Sequence, residues 1–425
     1  MQQRRSDTPQ TPGSQRARAR RSTLPTARVN RRGAARWRER QHPWIYRSDV
    51  LERPSSDAGD VLVIDERGAP VGMALWSPAS TISLRMMTSA ERTIDEGFWH
   101  ERIGAAVAYR TELAPRANAY RLVHGEGDGL PSLIVDRYDE WLVVQLLSAG
   151  LERHRDAIVA ALRAHARPTG ILARNDVAVR DHERLPRSVE LLHGSVPQEV
   201  EVRENDVAYL AAPWTGQKTG AFLDQRENRA RAGELARGRA LDCFSYHGSF
   251  ALHVATQAEE VTAVDSSGDA LLRARENADR NGFAVADDDG LRSRGKRGGS
   301  MRFVEANVFD FLRAQEAAGE RYDTIVLDPP AFAKRKDALE RALRGYKEIN
   351  LRAMRLLSPG GRLLTFTCSH HVSEFAFRTM LEDAAADARR PMRWIEGRGQ
   401  ASDHPVIVQV PESAYLKGAV LQAVD

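Results

Sequence analysis

Thiols are scarce in this sequence: its 425 residues hold only Cys243 and Cys368. Two cysteines cannot build a disulfide framework. Neither sits in a C-x-x-C or Cys/His spacing, so no metal is expected. Long apolar runs are missing too. None approaches the roughly 20 residues that cross a bilayer, and residues 1–40 lack the apolar stretch of a secretory signal. The expectation is a reduced, cytoplasmic protein with no membrane partner. Lysine is absent from residues 1–40, where 12 arginines face only Asp7 and Glu39, a net +10. The whole chain carries +4, so residues 41–425 sum to −6 (4 − 10). The basic character belongs to the N-terminus, and RNA binding by the body would need a local basic patch.

That N-terminal segment is also rich in Pro, Ser, Thr and Gln and poor in large apolar residues, a composition that cannot fold alone. It reads as a disordered tail over residues 1–36. An organellar transit peptide, a phosphate-contacting arm and a plain solvated tail all fit it. Short strands follow, as in "DVLVIDERGAPVGMALWS" (60–77) and "STISLRMMT" (80–88), and predict a small β-barrel over 37–90. A helix at 95–114, three strands within 119–148, a helix at 151–166 and a strand near 170–174 predict an α+β domain over 91–195. From 196 to 425 the pattern is α/β. Seven strands alternate with helices, from "GRALDCFSY" to "LKGAVLQAV", and predict a doubly wound, mostly parallel sheet. The last strand has no helical pattern before it and is expected antiparallel. "VADDDGLRSRGKRGGS" (285–300) reads as an exposed insertion.

Ligands of such sheets sit at the carboxyl ends of the strands. The first strand delivers "ALDCFSYHGSF", which is neither G-x-G-x-x-G nor a P-loop and keeps only Gly248 of a glycine pattern. The second ends in Asp265, placed to accept from two ribose hydroxyls. The third delivers Asn307, whose carbonyl can accept from an exocyclic amine. The fourth delivers Asp328-Pro329-Pro330, where two prolines fix a rigid turn that presents backbone carbonyls. No triphosphate cradle appears, so a nucleoside without phosphates is implied. S-adenosylmethionine fits better than a dinucleotide, whose pyrophosphate wants a glycine-rich helix start.

Seven segments in one order carry a resemblance: "TGAFLDQRENR" (219–229), "LDCFSYHGSFAL" (241–252), "VDSSGDAL" (264–271), "VLDPPAFAK" (326–334), "RGYKEINLRAMRLLSPGG" (344–361), "TFTCSHH" (365–371) and "QASDHPV" (400–406). With "HPWIY" (42–46) they resemble the bacterial 23S ribosomal RNA 5-methylcytosine methyltransferases that carry an N-terminal PUA domain. The resemblance implies a Rossmann-like class I methyltransferase sheet of seven strands behind an RNA-binding PUA barrel. It implies S-adenosylmethionine as cofactor and a cytosine of large-subunit ribosomal RNA as substrate; a homodimer is compatible with it. It assigns Asp224, Gln225, Arg226, Asp242, Phe244, Ser245, Gly248, Asp265, Ser266, Asn307 and Asp328 to the cofactor. Pro329, Pro330, Phe332 and Lys334 fall to the substrate, and Cys368 and Asp328 to catalysis. Asn307 departs from the pattern, which has an acid there.

Carbon 5 of cytosine attacks a sulfonium methyl only after a thiolate has added at carbon 6. Such chemistry wants a cysteine in the crevice, and Cys368, at the end of the fifth strand, is the candidate. Cys243, inside the first strand, reads as apolar filler. His370 and His371 are read as surface or hydrogen-bonding histidines. Some enzymes of this chemistry carry a second cysteine beside the proline turn, where this chain has Ala331. Two rival readings remain: methylation of a guanine nitrogen, which needs no cysteine, and a noncatalytic RNA-binding assembly factor.

Overall fold

A computed structural model describes residues 24–90, 92–113, 116–286, 297–332 and 336–424. The chain divides into two compact units. One gathers residues 1–114, 121–196 and 405–411, and the other residues 115–120, 197–404 and 412–425.

The first unit opens where the sequence reading expected a tail. Residues 24–36 are folded: β1 (Thr26–Val29) and α1 (Arg31–Arg38) belong to a six-stranded sheet and its core. The other strands are β2 (Trp44–Ile45), β3 (Val50–Glu52), β4 (Gly59–Ile64), β5 (Pro70–Trp76) and β6 (Leu84–Thr88), in the order β2-β6-β5-β4-β1-β3. Composition misled because the small apolar residues alternate with the arginines. Ala27 and Val29 are fully buried and Ala34 nearly so, while the arginines point outward to acids. Arg28 meets Glu52 at 3.0 Å, Arg38 meets Asp65 at 2.7 Å, and Arg32 Nε donates to buried Asp49 at 2.6 Å. The segment folds because the barrel supplies the apolar surface and the counter-charges that it lacks alone.

Behind the barrel come α2 (Glu96–Leu113) and α3 (Arg155–Ala166). They accompany a five-stranded sheet of β7 (Ala119–His124), β8 (Leu133–Tyr138), β9 (Trp141–Leu146), β10 (Gly170–Arg174) and β11 (Val189–Gly194). The expected barrel and most of the expected middle domain lie in this unit. Polar contacts join them: Arg85 pairs with Glu183 at 2.9 Å, both buried, His154 Nε2 lies 2.6 Å from Asp60, and Trp44 Nε1 donates to Glu126 at 2.8 Å.

The second unit starts with an unforeseen hairpin, β12 (Val200–Glu204) and β13 (Val207–Ala211), and α4 (Arg226–Leu235). Its sheet is built from β14 (Arg239–Cys243), β15 (Glu260–Asp265), β16 (Phe283–Val285), β17 (Arg297–Glu305), β18 (Tyr322–Leu327), β19 (Leu357–Thr367), β20 (Met392–Arg398) and β21 (Lys417–Ala423). Intervening helices are α5 (Ser249–Val254), α6 (Gly268–Arg280), α7 (Val308–Ala317), α8 (Leu339–Leu356) and α9 (Glu374–Ala388). The order is β16-β17-β15-β14-β18-β19-β21-β20, eight strands where seven were expected. The extra one, β16, and the start of β17 come from the flanks of the expected insertion. Its centre, 287–296, lies outside the described residues. Gly299 lets β17 begin early, because a Cβ there would stand 2.1 Å from the Ala258 carbonyl oxygen. β21 runs antiparallel to β19, as expected. Among the described residues no helix is long and apolar enough to cross a membrane.

The parallel register sets the site. β14 lies between β15 and β18, with Cys243 opposite Val264 and Leu327, and Leu327 is opposite Thr365 on β19. The carboxyl ends of four strands therefore finish side by side.

Candidate active site

At those ends lies a cavity of about 470 Å³. The loop after β14 contributes Phe244, Ser245 and Tyr246 to its wall, and the end of β15 contributes Asp265 with Ser266 just beyond it. Asp328, Pro329 and Pro330 follow β18, and Cys368 follows β19. Asp224 and Gln225 come from the turn before α4. Nine of the expected cofactor, substrate and catalytic positions apart from Phe244 thus meet in one place: Asp224, Gln225, Ser245, Asp265, Ser266, Asp328, Pro329, Pro330 and Cys368.

The loop after β14 has the shape of a glycine-rich loop without its glycines. Phe244, Tyr246 and Gly248 all take left-handed backbone angles, with φ of 64°, 50° and 83°. Two bulky residues in that region cost roughly 1–3 kcal/mol each. Hydrogen bonds hold them there: Ser245 N donates to the Val264 carbonyl at 3.0 Å, and Tyr246 N to Asp265 Oδ2 at 2.8 Å. Asp265 Oδ1 accepts from Ser267 N at 3.0 Å, which pins the carboxylate at the cavity edge. Gly248 is the N-cap of α5 and lies outside the wall; a Cβ there would press on Ala274 at 3.0 Å.

Charges in the wall are unequally satisfied. Asp224 is buried. Its Oδ2 accepts from Lys218 Nζ at 2.6 Å and Tyr415 OH at 2.7 Å, whereas Oδ1 has no protein donor. Burial raises its pKa, but Lys218, His404 and these hydrogen bonds outweigh that and hold it ionised. Asp328 goes the other way. Burial, then the charge of Asp224, pushes it up to about 7, against Lys218, a hydrogen bond from Gln225 and Arg229. Cys368 is pushed up to about 11, first by burial and then by Asp328, with Lys218 opposing. Lys218 is thus a cation of the wall that favours the thiolate, while His370 and His371 are exposed and outside it. The buried Tyr346 joins two of the contributing loops. Its hydroxyl lies 2.8 Å from Ser369 Oγ and accepts from Phe332 N at 3.2 Å.

Other expected residues are used differently. Arg226 turns away into a buried pair with Asp403, at 2.8 and 3.1 Å. Asn307 Oδ1 caps α7, accepting from Phe309 N and Asp310 N at 3.0 and 3.4 Å, so its carbonyl already has donors and it lies outside the wall. Phe332 packs into rings, 4.5 Å from Tyr346 and 5.9 Å from Phe309, instead of lining the cavity. Asp242 is buried outside the cavity wall without a counter-charge, and only the Ala251 backbone N–H favours its carboxylate. Lys334 lies outside the described residues. Cys243 is buried among Leu241, Val264 and Leu327 in the core. Sequence reasoning missed Lys218, Phe222, Arg229 and Tyr246. Lys218 stands one residue before a quoted segment, and a cation next to "TGAFLDQ" was the available signal.

The cavity suits S-adenosylmethionine. Asp224 Oδ1 and the buried Ser245 Oγ have no protein partner and are the kind of acceptors its ammonium needs. Asp265 lines the same cavity, and Phe244, Phe250 and Pro329 supply apolar wall.

The chain is similar to known proteins in sequence and in fold. A family model described as S-adenosylmethionine-dependent methyltransferase matches residues 120–420, and one for a PUA-like domain matches residues 28–89. The ribosomal RNA large subunit methyltransferase I of Erwinia tasmaniensis is 40% identical over 387 residues, 89% of this chain and 94% of that protein. Its namesake from Shewanella frigidimarina is 41% identical over 397 residues, 91% and 97% of the two chains. Among solved structures, a SAM-dependent methyltransferase from Streptococcus mutans superposes with a TM-score of 0.77 at 20% identity, covering 94% of this chain and all of that one. A methyltransferase crystallised with SAH gives 0.79 at 20% identity, with the same coverage. The chain belongs to the S-adenosylmethionine-dependent methyltransferases and, within them, to the ribosomal RNA large subunit methyltransferase I family.

Proposed function

We propose that this chain methylates carbon 5 of a cytosine in large-subunit ribosomal RNA through a covalent adduct to Cys368. One observation carries the reading: Cys368 shares a single cavity with the proline turn and the cofactor residues. Methylation of a ring or exocyclic nitrogen gives no use to a thiol there. The relatives' names supply large-subunit ribosomal RNA as the substrate class, and the PUA-like match supports RNA contacts by the barrel. The bound cofactor supplies a methyl group on a sulfonium.

The chain's own residues do the rest. Cys368 gives up its proton to water and its sulfur bonds to carbon 6, and the displaced ring electron pair is taken up at nitrogen 3. Carbon 5, now an enamine carbon, takes the methyl group as the methyl–sulfonium bond breaks. Loss of the carbon-5 proton then returns the electron pair to the ring, the sulfur–carbon bond breaks, and the thiolate leaves. Asp328 and Cys368 constrain each other. An ionised Asp328 opposes the thiolate, so addition is favoured when Asp328 holds its proton and donates it toward ring nitrogen 3. Cytosine presents an acceptor there, and uracil an N–H. The target base must leave its stack to reach the thiol.

Replacing the target cytosine by 5-fluorocytosine removes the proton that must be lost. Wild-type protein should then form a stable crosslink to RNA, and Cys368→Ala should form none while binding cofactor normally. Methyl transfer by Cys368→Ala, or a crosslink mapping to Cys243, would overturn the mechanism.

A further inference from the structure

Behind the cavity, three side chains run in line from the end of β20 to Asp328. Arg398 Nε donates to Asn228 Oδ1 at 2.9 Å. Asn228 Nδ2 donates to Gln225 Oε1 at 2.6 Å and to the Gly399 carbonyl at 2.9 Å. Gln225 Nε2 donates to Asp328 Oδ1 at 2.8 Å. Gln225 and Asn228 are almost fully buried, at 3% and 1% exposure, so water does not compete for the bond between them.

An amide in isolation can be turned either way; these two cannot. Arginine has donors and no acceptor, so Asn228 must show it the carbonyl oxygen. The Gly399 carbonyl only accepts, so it demands the amide nitrogen on the other side. That nitrogen hands a second hydrogen to Gln225, which must answer with Oε1. Gln225 is left with its own nitrogen facing Asp328. The direction of every bond is set by two groups far from the chemistry, and Asp328 Oδ1 is an acceptor whether the acid is protonated or not. Its Oδ2 has no hydrogen bond among the described residues.

We propose that Arg398, Asn228 and Gln225 form a directional hydrogen-bond chain that confines the proton of Asp328 to Oδ2, the oxygen left for the bound base. They are positioning residues acting through Asp328. The use of that donor on cytosine rests on the proposed function; the polarity of the chain does not. Other groups act on the same acid. Asp224 and Lys218 lie on the segment before α4, Arg229 on α4, Asp242 on β14 and Cys368 after β19. None of these donates to Oδ1 in place of Gln225.

The carboxylic-acid stretch of Asp328 is the readout, assigned in infrared difference spectra of the full chain by its loss in Asp328→Asn and titrated without RNA. Gln225→Leu removes a donor that favours the carboxylate, so the midpoint should rise. Gln225→Met, which keeps the side-chain length, serves if leucine does not fold. Asn228→Asp cannot donate, so Gln225 should reverse and draw the proton to Oδ1. The midpoint should rise again and the band should change frequency. Arg398→Lys keeps a donor and should keep the wild-type midpoint. Methyl transfer should fall at least tenfold in kcat in Gln225→Leu and Asn228→Asp, and in Asn228→Asp, which lies outside the cavity wall, the cofactor KM should change less than twofold. A wild-type midpoint in both Gln225→Leu and Asn228→Asp would overturn the chain. Midpoints that move while wild-type protein leaves cytosine unmethylated would instead overturn the cytosine reading and leave the chain standing.

Discussion

Glu204 and Asp242 are both fully buried carboxylates of the same unit, and the fold treats them oppositely. Glu204, at the end of β12, accepts from Arg229 Nε and Nη2 at 2.7 and 2.6 Å and from Tyr209 OH at 3.0 Å. Burial raises its pKa, but Arg229 outweighs that and the acid stays ionised. Asp242, in β14, has no counter-charge, and only the backbone N–H of Ala251 favours its carboxylate. Burial first, then the charges of Asp328 and Asp265, raise its pKa well above the usual carboxylate value. A partnered buried acid holds structure together. One without a counter-charge costs stability when ionised.

The comparison breaks most visibly at Glu204. Glu204→Ala leaves the Arg229 guanidinium buried without its counter-charge, and removing one partner of such a pair costs about 3–5 kcal/mol. Chemical denaturation should show that loss. Because the folded-state pKa is depressed, the contribution of Glu204 is present above the unfolded pKa and lost as pH falls through the folded one. The variant's deficit should therefore shrink in acid. A loss below about 1 kcal/mol would mean that Arg229 finds another partner.

Asp242→Asn should do the reverse. A raised folded pKa means that folding takes up a proton, so wild-type stability falls as pH rises above the unfolded value. A neutral side chain removes that fall, so the variant should be more stable than wild type without cofactor, and by more at pH 8 than at pH 4. If Asp242 serves the cofactor, S-adenosylmethionine binding should weaken by about 1.5–3 kcal/mol, the worth of a hydrogen bond to a charged group. Calorimetry on the same sample gives both numbers. A variant less stable at pH 8 would show that Asp242 is structural after all.

The same contrast explains what could be read from sequence. The strand-end acids and the lone cysteine were legible because a doubly wound sheet brings its carboxyl ends together whatever the helices do. Asp265, Asp328 and Cys368 needed only their place after a strand. The loop at 244–248 was misjudged because glycine stands for left-handed backbone in a motif, while here two aromatic residues are forced into it by bonds from β15. Arg226 and Asn307 looked functional by type. In the fold they bond to Asp403 and to a helix end, contacts that no local pattern announces. Folding of residues 24–36 was hidden for the same reason, since its acids lie at positions 49 to 65.

Those acids also sharpen the comparison at its weakest point, the N-terminal charge. Of the arginines in residues 24–40, Arg28, Arg32, Arg36 and Arg38 are paired with Glu52, Asp49 and Asp65. Charge tied up in this way releases few counterions when RNA binds. Residues 1–23 hold six more arginines and only Asp7 as an acid. A truncation that probes them must stop at residue 23, because a cut at 35 removes β1 from between β4 and β3 and would unfold the barrel. With the cut at 23, the thermal melt and the target base should not change. The slope of log affinity against log salt should become shallower, by about 0.7 for each phosphate of single-stranded RNA that the removed arginines had neutralised. An unchanged slope would mean that these arginines do not touch the RNA.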